Sequence, residues 1–295
     1  MLDSVIRGRI ARAVSLALIC LAVPATANAA RGICSDPLTR AIPERASRAP
    51  SGSAVMHDLA DTSGEARDKA VMRQVLSGNV PSFLRHLVPV TIPGTLAGGR
   101  SVLITICVTP GYLAVGDDDD FVRVPLGLAA AAQIADRFGF FLPTTRMVDA
   151  IYSQAQLRVA PSPMKPTSQM SSTAYLMRHN ATLEDQRHRS GHSPSELIAG
   201  EKKDIVLTER LRSKPGRVAI YGWHRTNGRP IQPLSTVHGA SYADYSHGVR
   251  LVSQTAYVDG KPRPLAEIMR DRDLSEIVNS EGPIGDAERL MASLY

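Results

Sequence analysis

The sequence predicts an α+β protein: a mostly antiparallel sheet, helices inserted between early and late strands, and short helices at the C-terminus. Three observations predict it. Residues 100–108 and 249–258 are apolar, β-branched runs of strand length. Asn227-Gly228 lies between two further strand-like runs and is the strongest hairpin signal in the chain. Helical periodicity comes in blocks, without the regular strand–helix alternation of a parallel sheet.

The chain opens with a basic leader (Arg7, Arg9, Arg12), an uncharged apolar run from Ala13 to Val23, Pro24, and small residues at Ala27-Asn28-Ala29. This is the layout of a secretory signal over residues 1–29, cleaved after Ala29. The apolar run is shorter than the roughly 20 residues that span a bilayer. An exported periplasmic or secreted protein is therefore expected, with no transmembrane segment in the mature chain. The net charge of +6 is dispersed, which gives nucleic-acid binding little support. Beyond the signal only Cys34 and Cys107 remain. In an oxidising compartment they are candidates for a disulfide, with two unpaired thiols as the alternative.

Residues 30–64, rich in Pro, Ser, Arg and Ala, read as an extended arm or linker, and residues 65–295 as one domain. Helices are expected over 65–76, 81–87, 125–138 and 143–157, the last started by Thr144 or Thr145. Strands are expected over 100–108, 112–115, 121–124, 204–207, 217–223, 229–234 and 249–258. Pro230 and Pro233 mark 229–234 as an edge. Residues 158–203 read as a long polar loop. Short helices are expected over 265–270, 274–278 and 286–294.

The densest polar group is YGWHRTNGRPIQPLSTVHGASYADYSHGVR, residues 221–250, with three of the eight histidines and the only tryptophan. Catalytic candidates are His224, His238, Asp244, His247 and Ser246. Trp223, Gln232, Tyr242, Arg250 and Lys203 are candidates for substrate binding, Arg250 as a bidentate carboxylate clamp. Three readings compete. His224, His238 and His247 with Asp244 could hold a divalent metal such as zinc, whose bound water becomes a nucleophile. Ser246 or Ser235 could be activated by a histidine. Or the histidines could simply bond strand ends. No HExxH, GxSxG or paired-cysteine signature decides among them. In an extended segment Asp244 and His247 face opposite ways, so a functional pair needs a bend near Gly248.

Lesser candidates are Glu201-Lys202-Lys203-Asp204, His179, His188 and His192, the sequon Asn180-Ala181-Thr182, and the run Asp117–Asp120. That run has the oxygen chemistry of a Ca²⁺ site without an EF-hand spacing, so a charged turn accounts for it better.

YGWHRTNGRPIQPLSTVH and YADYSHGVRLVS, with DDDDFVRVP and ADRFGFFLPTTRMVDAIY, resemble a group of uncharacterised exported bacterial proteins over most of residues 100–260. The resemblance implies a bacterial source and an intact domain, and no activity. The expectation from the residues is a hydrolase acting on a cell-wall or other extracellular polymer. The alternative is a non-catalytic envelope protein that recognises a glycan or peptide.

Overall fold

The computed structural model describes residues 32–34 and 36–295. The expected signal, residues 1–29, lies outside the described residues. The fold is α+β with mostly antiparallel sheets, as expected.

The larger sheet is built on β2 (Ser101–Val108), whose last five residues are all buried. On one side β2 pairs in unbroken antiparallel register with β1 (Val88–Thr95), from Val88 opposite Val108 to Thr95 opposite Ser101. The β1 strand was not read from the sequence because Pro89 and Pro93 interrupt it. As the sheet edge it needs no donor on its outer side. The hairpin β3 (Ala114–Gly116) and β4 (Phe121–Arg123) follows. The Asp117–Asp120 run is the turn between them. Asp118 accepts from Ser82 and Asp120 from Ser53, so these carboxylates fasten neighbouring segments.

Next come a helix over Leu128–Phe138, closed by Gly139 at φ 78°, the short β5 (Phe140–Phe141), and a helix over Thr145–Gln154. Thr144 caps the last of these through Met147 N–H, so the Thr-based start is confirmed. Next are β6 (Leu157–Arg158), β7 (Ile198–Ala199) and β8 (Lys203–Ile205), then β9 (Ile220–His224) and β10 (Pro230–Ser235). The hairpin turns at Gly228, φ 81°. After β11 (His247–Gly248), the strand β12 (Val252–Val258) pairs with β2, β5 and β13 (Lys261–Pro264). The smaller sheet has the order β10-β9-β8-β11, with β10 at its edge as expected. Helices over Leu265–Arg270, Ser275–Val278 and Ala287–Ala292 end the chain.

Two expectations are corrected. The described residues of the stretch expected to be an extended arm or linker are packed on the core. They include a helix over Gly52–Asp58 that buries Val55 and Met56, and Ile42 is also in the core. Cys34 is bonded to Cys107 on β2, which ties this region to the central strand. Residues 158–203 are not a structureless loop. They hold an 18-residue helix, Thr173–Ser190, capped by Ser172 and closed by Gly191 at φ 72°. Its buried stripe includes His179, Asn180 and Arg187, so hydrophobic periodicity does not reveal it. Asn180 is buried and donates to Phe121 O, which removes the sequon from the surface.

Candidate functional site

The smaller sheet separates two polar clusters, and period-2 alternation decides which residue joins which. Asp204 pairs with Tyr221 and shares its face. Lys203 stands opposite both Gly222 and His247, on the other face. Regular alternation would place Trp223 beside Tyr221. Instead Gly222 (φ 100°) and Trp223 (φ 53°) are both left-handed, which breaks the alternation. Trp223 consequently turns under Lys203, whose ammonium lies 5.5 Å from its ring, and packs near His179 and Tyr245. His224 is returned to the Tyr221 face. A non-glycine residue in this region carries strain of order 1–3 kcal/mol.

On the first face the Thr145–Gln154 helix presents Asp149 and Tyr152, three residues apart on one side. Asp149 Oδ1 lies 2.8 Å from His224 Nε2 and accepts from the Tyr221 hydroxyl at 2.9 Å. The Tyr152 ring stacks on the imidazole, centroids 4.5 Å apart, and its hydroxyl donates to Arg225 O. Burial, and then the Asp149 charge, push the Tyr221 phenol well up. These groups line an open pocket of about 380 Å³ with Arg158 and Asn227.

Behind His224 is a second, much smaller space of about 10 Å³ lined by Tyr112, Lys202, Asp204, His224 and Arg250 among others. Roughly 10–15 Å³ with several polar neighbours is the room a single water needs. Asp204 accepts from Tyr112 at 2.9 Å. Burial raises its carboxyl to about 6, against the pull of Arg250. Only glycine suits position 248 here, because a Cβ would come 2.5 Å from the Tyr112 ring. His224, only 2% exposed, and Tyr152 line both spaces.

The second face holds the other expected residues. Asp244 Oδ1 accepts from Ser246 N at 2.8 Å and from Ser246 Oγ at 2.5 Å, and Oδ2 accepts from Tyr242 at 3.0 Å. His247 N donates to Asp244 O, so the bend that brings Asp244 and His247 together falls at Tyr245-Ser246, before Gly248. His238 stacks on Tyr242 at 4.4 Å and lies 6.3 Å from His247, centroid to centroid. His247 is fully buried, and neither ring nitrogen is hydrogen-bonded among the described residues. Burial lowers it to about 4, although Asp244 opposes this. For Asp244, burial is outweighed by His247, Ser246 and Lys203, which hold it below the ordinary range.

The expected constellation is therefore split. His238, His247, Asp244, Ser246 and Tyr242 are brought together, and His224 is not among them. Among the described residues no three His, Cys, Asp or Glu side chains are grouped to hold a metal, so the three-histidine set is not assembled. The Ser246 hydroxyl is spent on Asp244, not on a histidine, and is fully buried. Arg250 is buried and donates to the carbonyls of Thr109, Pro110 and Ile198. It holds backbone and cannot clamp a substrate. Gln232 lies on the edge strand β10 and donates to Pro233 O. Lys202 is buried between Tyr245 O, at 2.6 Å, and His179 Nδ1, at 3.4 Å. Burial, then Arg123, lowers its ammonium to about 7. Glu201 pairs with the buried Arg123 at 3.0 Å. His192 pairs with Glu196, and His188 lies 3.9 Å from Glu184.

Sequence reasoning missed Asp149, Tyr152 and Tyr112. Asp149 and Tyr152 were visible as a polar pair three apart on a capped helix, but nothing local says which strand they meet. Among the described residues no helix is long and apolar enough to cross a membrane. No protein-family model, no curated protein and no solved structure matches the chain.

Proposed function

We propose that this chain is an exported hydrolase acting on a cell-wall or other extracellular polymer, with His224 as its general acid–base group. The observation that carries the reading is the 2.8 Å Asp149–His224 contact at the wall of an open pocket. In this reading His224 takes a proton from an attacking water, Asp149 stabilises the resulting imidazolium, and the proton passes to the leaving group. Water is the nucleophile, because the pocket's Ser153 donates its hydroxyl to Ala150 O of its own helix. Tyr221 and Arg158 offer a phenol ring and a cation to a polar polymer. Export rests on the three-part pattern of residues 1–29.

A binding protein for a glycan or peptide is the second reading. It is favoured by the polar lining of the open pocket, where Asp149, Arg158, Tyr221 and Asn227 offer hydrogen-bonding groups of both kinds to a sugar or peptide without chemistry. The experiment is release of soluble fragments from purified peptidoglycan and from a panel of extracellular polysaccharides. His224→Gln is expected to lower turnover by about 10²–10⁴ with an unchanged circular dichroism spectrum. Turnover that survives His224→Gln removes the acid–base role. Tight polymer binding without fragment release selects the binding protein.

A further inference from the structure

A groove of about 240 Å³ lies between the helices Gly64–Leu76 and Leu128–Phe138, on residues outside the His224 pocket. Glu65, Asp68 and Met72 share one face of the first helix, at spacings of three and four. Ala129 and Ala130 on the second helix are small enough to leave the space open. The volume falls below the roughly 300–1,000 Å³ of pockets for larger organic ligands, so the occupant is small.

Asp68 is the unusual member. It is only 5% exposed. Its Oδ2 accepts from Gly127 N at 2.7 Å, while Oδ1, itself buried, has no hydrogen-bond partner among the described residues. A Cβ on Gly127 would stand 2.8 Å from Oδ2, so glycine is what lets this acceptor approach the helix start. The neighbouring cation does not neutralise it by contact: Arg67 turns away and donates to Ser171 O at 2.6 Å. A buried carboxylate short of partners is costly unless a cation or donor reaches it. Glu65 at the rim adds a second negative charge, and Lys69 offers one positive charge at the same rim. Burial already raises the Asp68 carboxyl, as expected for a group short of compensation.

We propose that this groove binds a primary alkylammonium group on a short apolar stem, with Asp68 as its counter-ion and Met72, Ala129 and Ala130 around the stem. A free amine and a lysine-type side chain on a peptide share this chemistry.

The test is calorimetric titration of the purified chain with n-butylammonium, with Nα-acetyl-lysine methylamide, and with n-butanol as the neutral analogue. At least one ammonium probe is expected to bind, and butanol at least tenfold more weakly. Whichever ammonium probe binds better assigns the source, free or peptide-borne. Asp68→Asn keeps an acceptor for Gly127 N–H while removing the charge, and a loss of at least tenfold in affinity is expected. Ala129→Phe fills the groove from an exposed position and is expected to abolish binding with Asp68 intact. Binding of neither ammonium probe, equal binding of butanol, or full affinity in Asp68→Asn or Ala129→Phe overturns the proposal.

Discussion

Lys203 and Asp204 are neighbours in sequence and serve opposite faces of one strand. Lys203 covers the Trp223 ring on the His247 side, while Asp204 accepts from Tyr112 beside the cavity behind His224. A one-residue step therefore separates two polar interiors, and each can be probed through its own titration.

The Asp204 side gives the first prediction. Burial raises its carboxyl to about 6 from an ordinary 3.8. The folded chain then holds this proton more tightly than the unfolded one. Stability from this group is complete below about pH 4 and lost as pH rises through 6, a change of about 2–3 kcal/mol. Asp204→Asn cannot titrate. The stability difference between variant and wild type should therefore move in the variant's favour between pH 4 and 7 in urea denaturation. A pH-independent difference would refute the assignment.

On the opposite face the sign reverses. Burial lowers His247 to about 4, below the ordinary 6.5. The unfolded chain binds the proton first, so stability is complete above about pH 6.5 and is lost as pH falls through 4. His247→Gln should remove this loss and shift the acid-unfolding midpoint to lower pH. The two slopes oppose each other over the same range, so each must be measured against its own variant.

These two faces mark the limit of what the sequence discloses. The strands at 100–108 and 249–258, the Asn227-Gly228 hairpin and the capped helix near Thr144 are legible because local chemistry sets them. The Thr173–Ser190 helix is hidden because it buries His179 and Arg187 where apolar residues would show its period. The Tyr221–Arg250 segment is recognisable as a polar concentration. Its division is not, because two consecutive left-handed residues overturn the alternation by which faces are assigned. Asp149 meets His224 across 75 residues, a relation that depends on helix-to-sheet packing alone.

Arg250 separates a structural role from a recognition role. Its guanidinium is buried on three backbone carbonyls and lies 4.4 Å from the Tyr112 ring. Arg250→Met leaves those carbonyls unpaired. A loss of about 3–5 kcal/mol is expected, read as a lower urea midpoint with an unchanged m-value. A variant of wild-type stability would return Arg250 to the substrate-binding set.

The Cys34–Cys107 bond closes a separation of 73 residues and pins the N-terminal region to β2. Cys34→Ala with Cys107→Ala should cost about 3–4 kcal/mol, most of it through a less constrained unfolded chain. Reductant should lower the melting temperature of the wild type towards that of the double variant and leave the variant unmoved.

Gly222 tests whether the broken alternation matters to the site as well as to the fold. At φ 100° an L-residue is strained, and a Cβ would meet Val148 Cγ1 at 3.2 Å. Gly222→Ala should cost about 1–3 kcal/mol. If the chain relieves the strain by restoring regular alternation, His224 rotates away from Asp149 and Trp223 leaves Lys203. Tryptophan fluorescence reports the second event directly, because Trp223 is the only tryptophan. A shifted emission spectrum together with a fall in hydrolysis larger than the stability loss explains would tie the strain at Gly222-Trp223 to the placement of His224. An unshifted spectrum with reduced stability alone would confine its role to the strand.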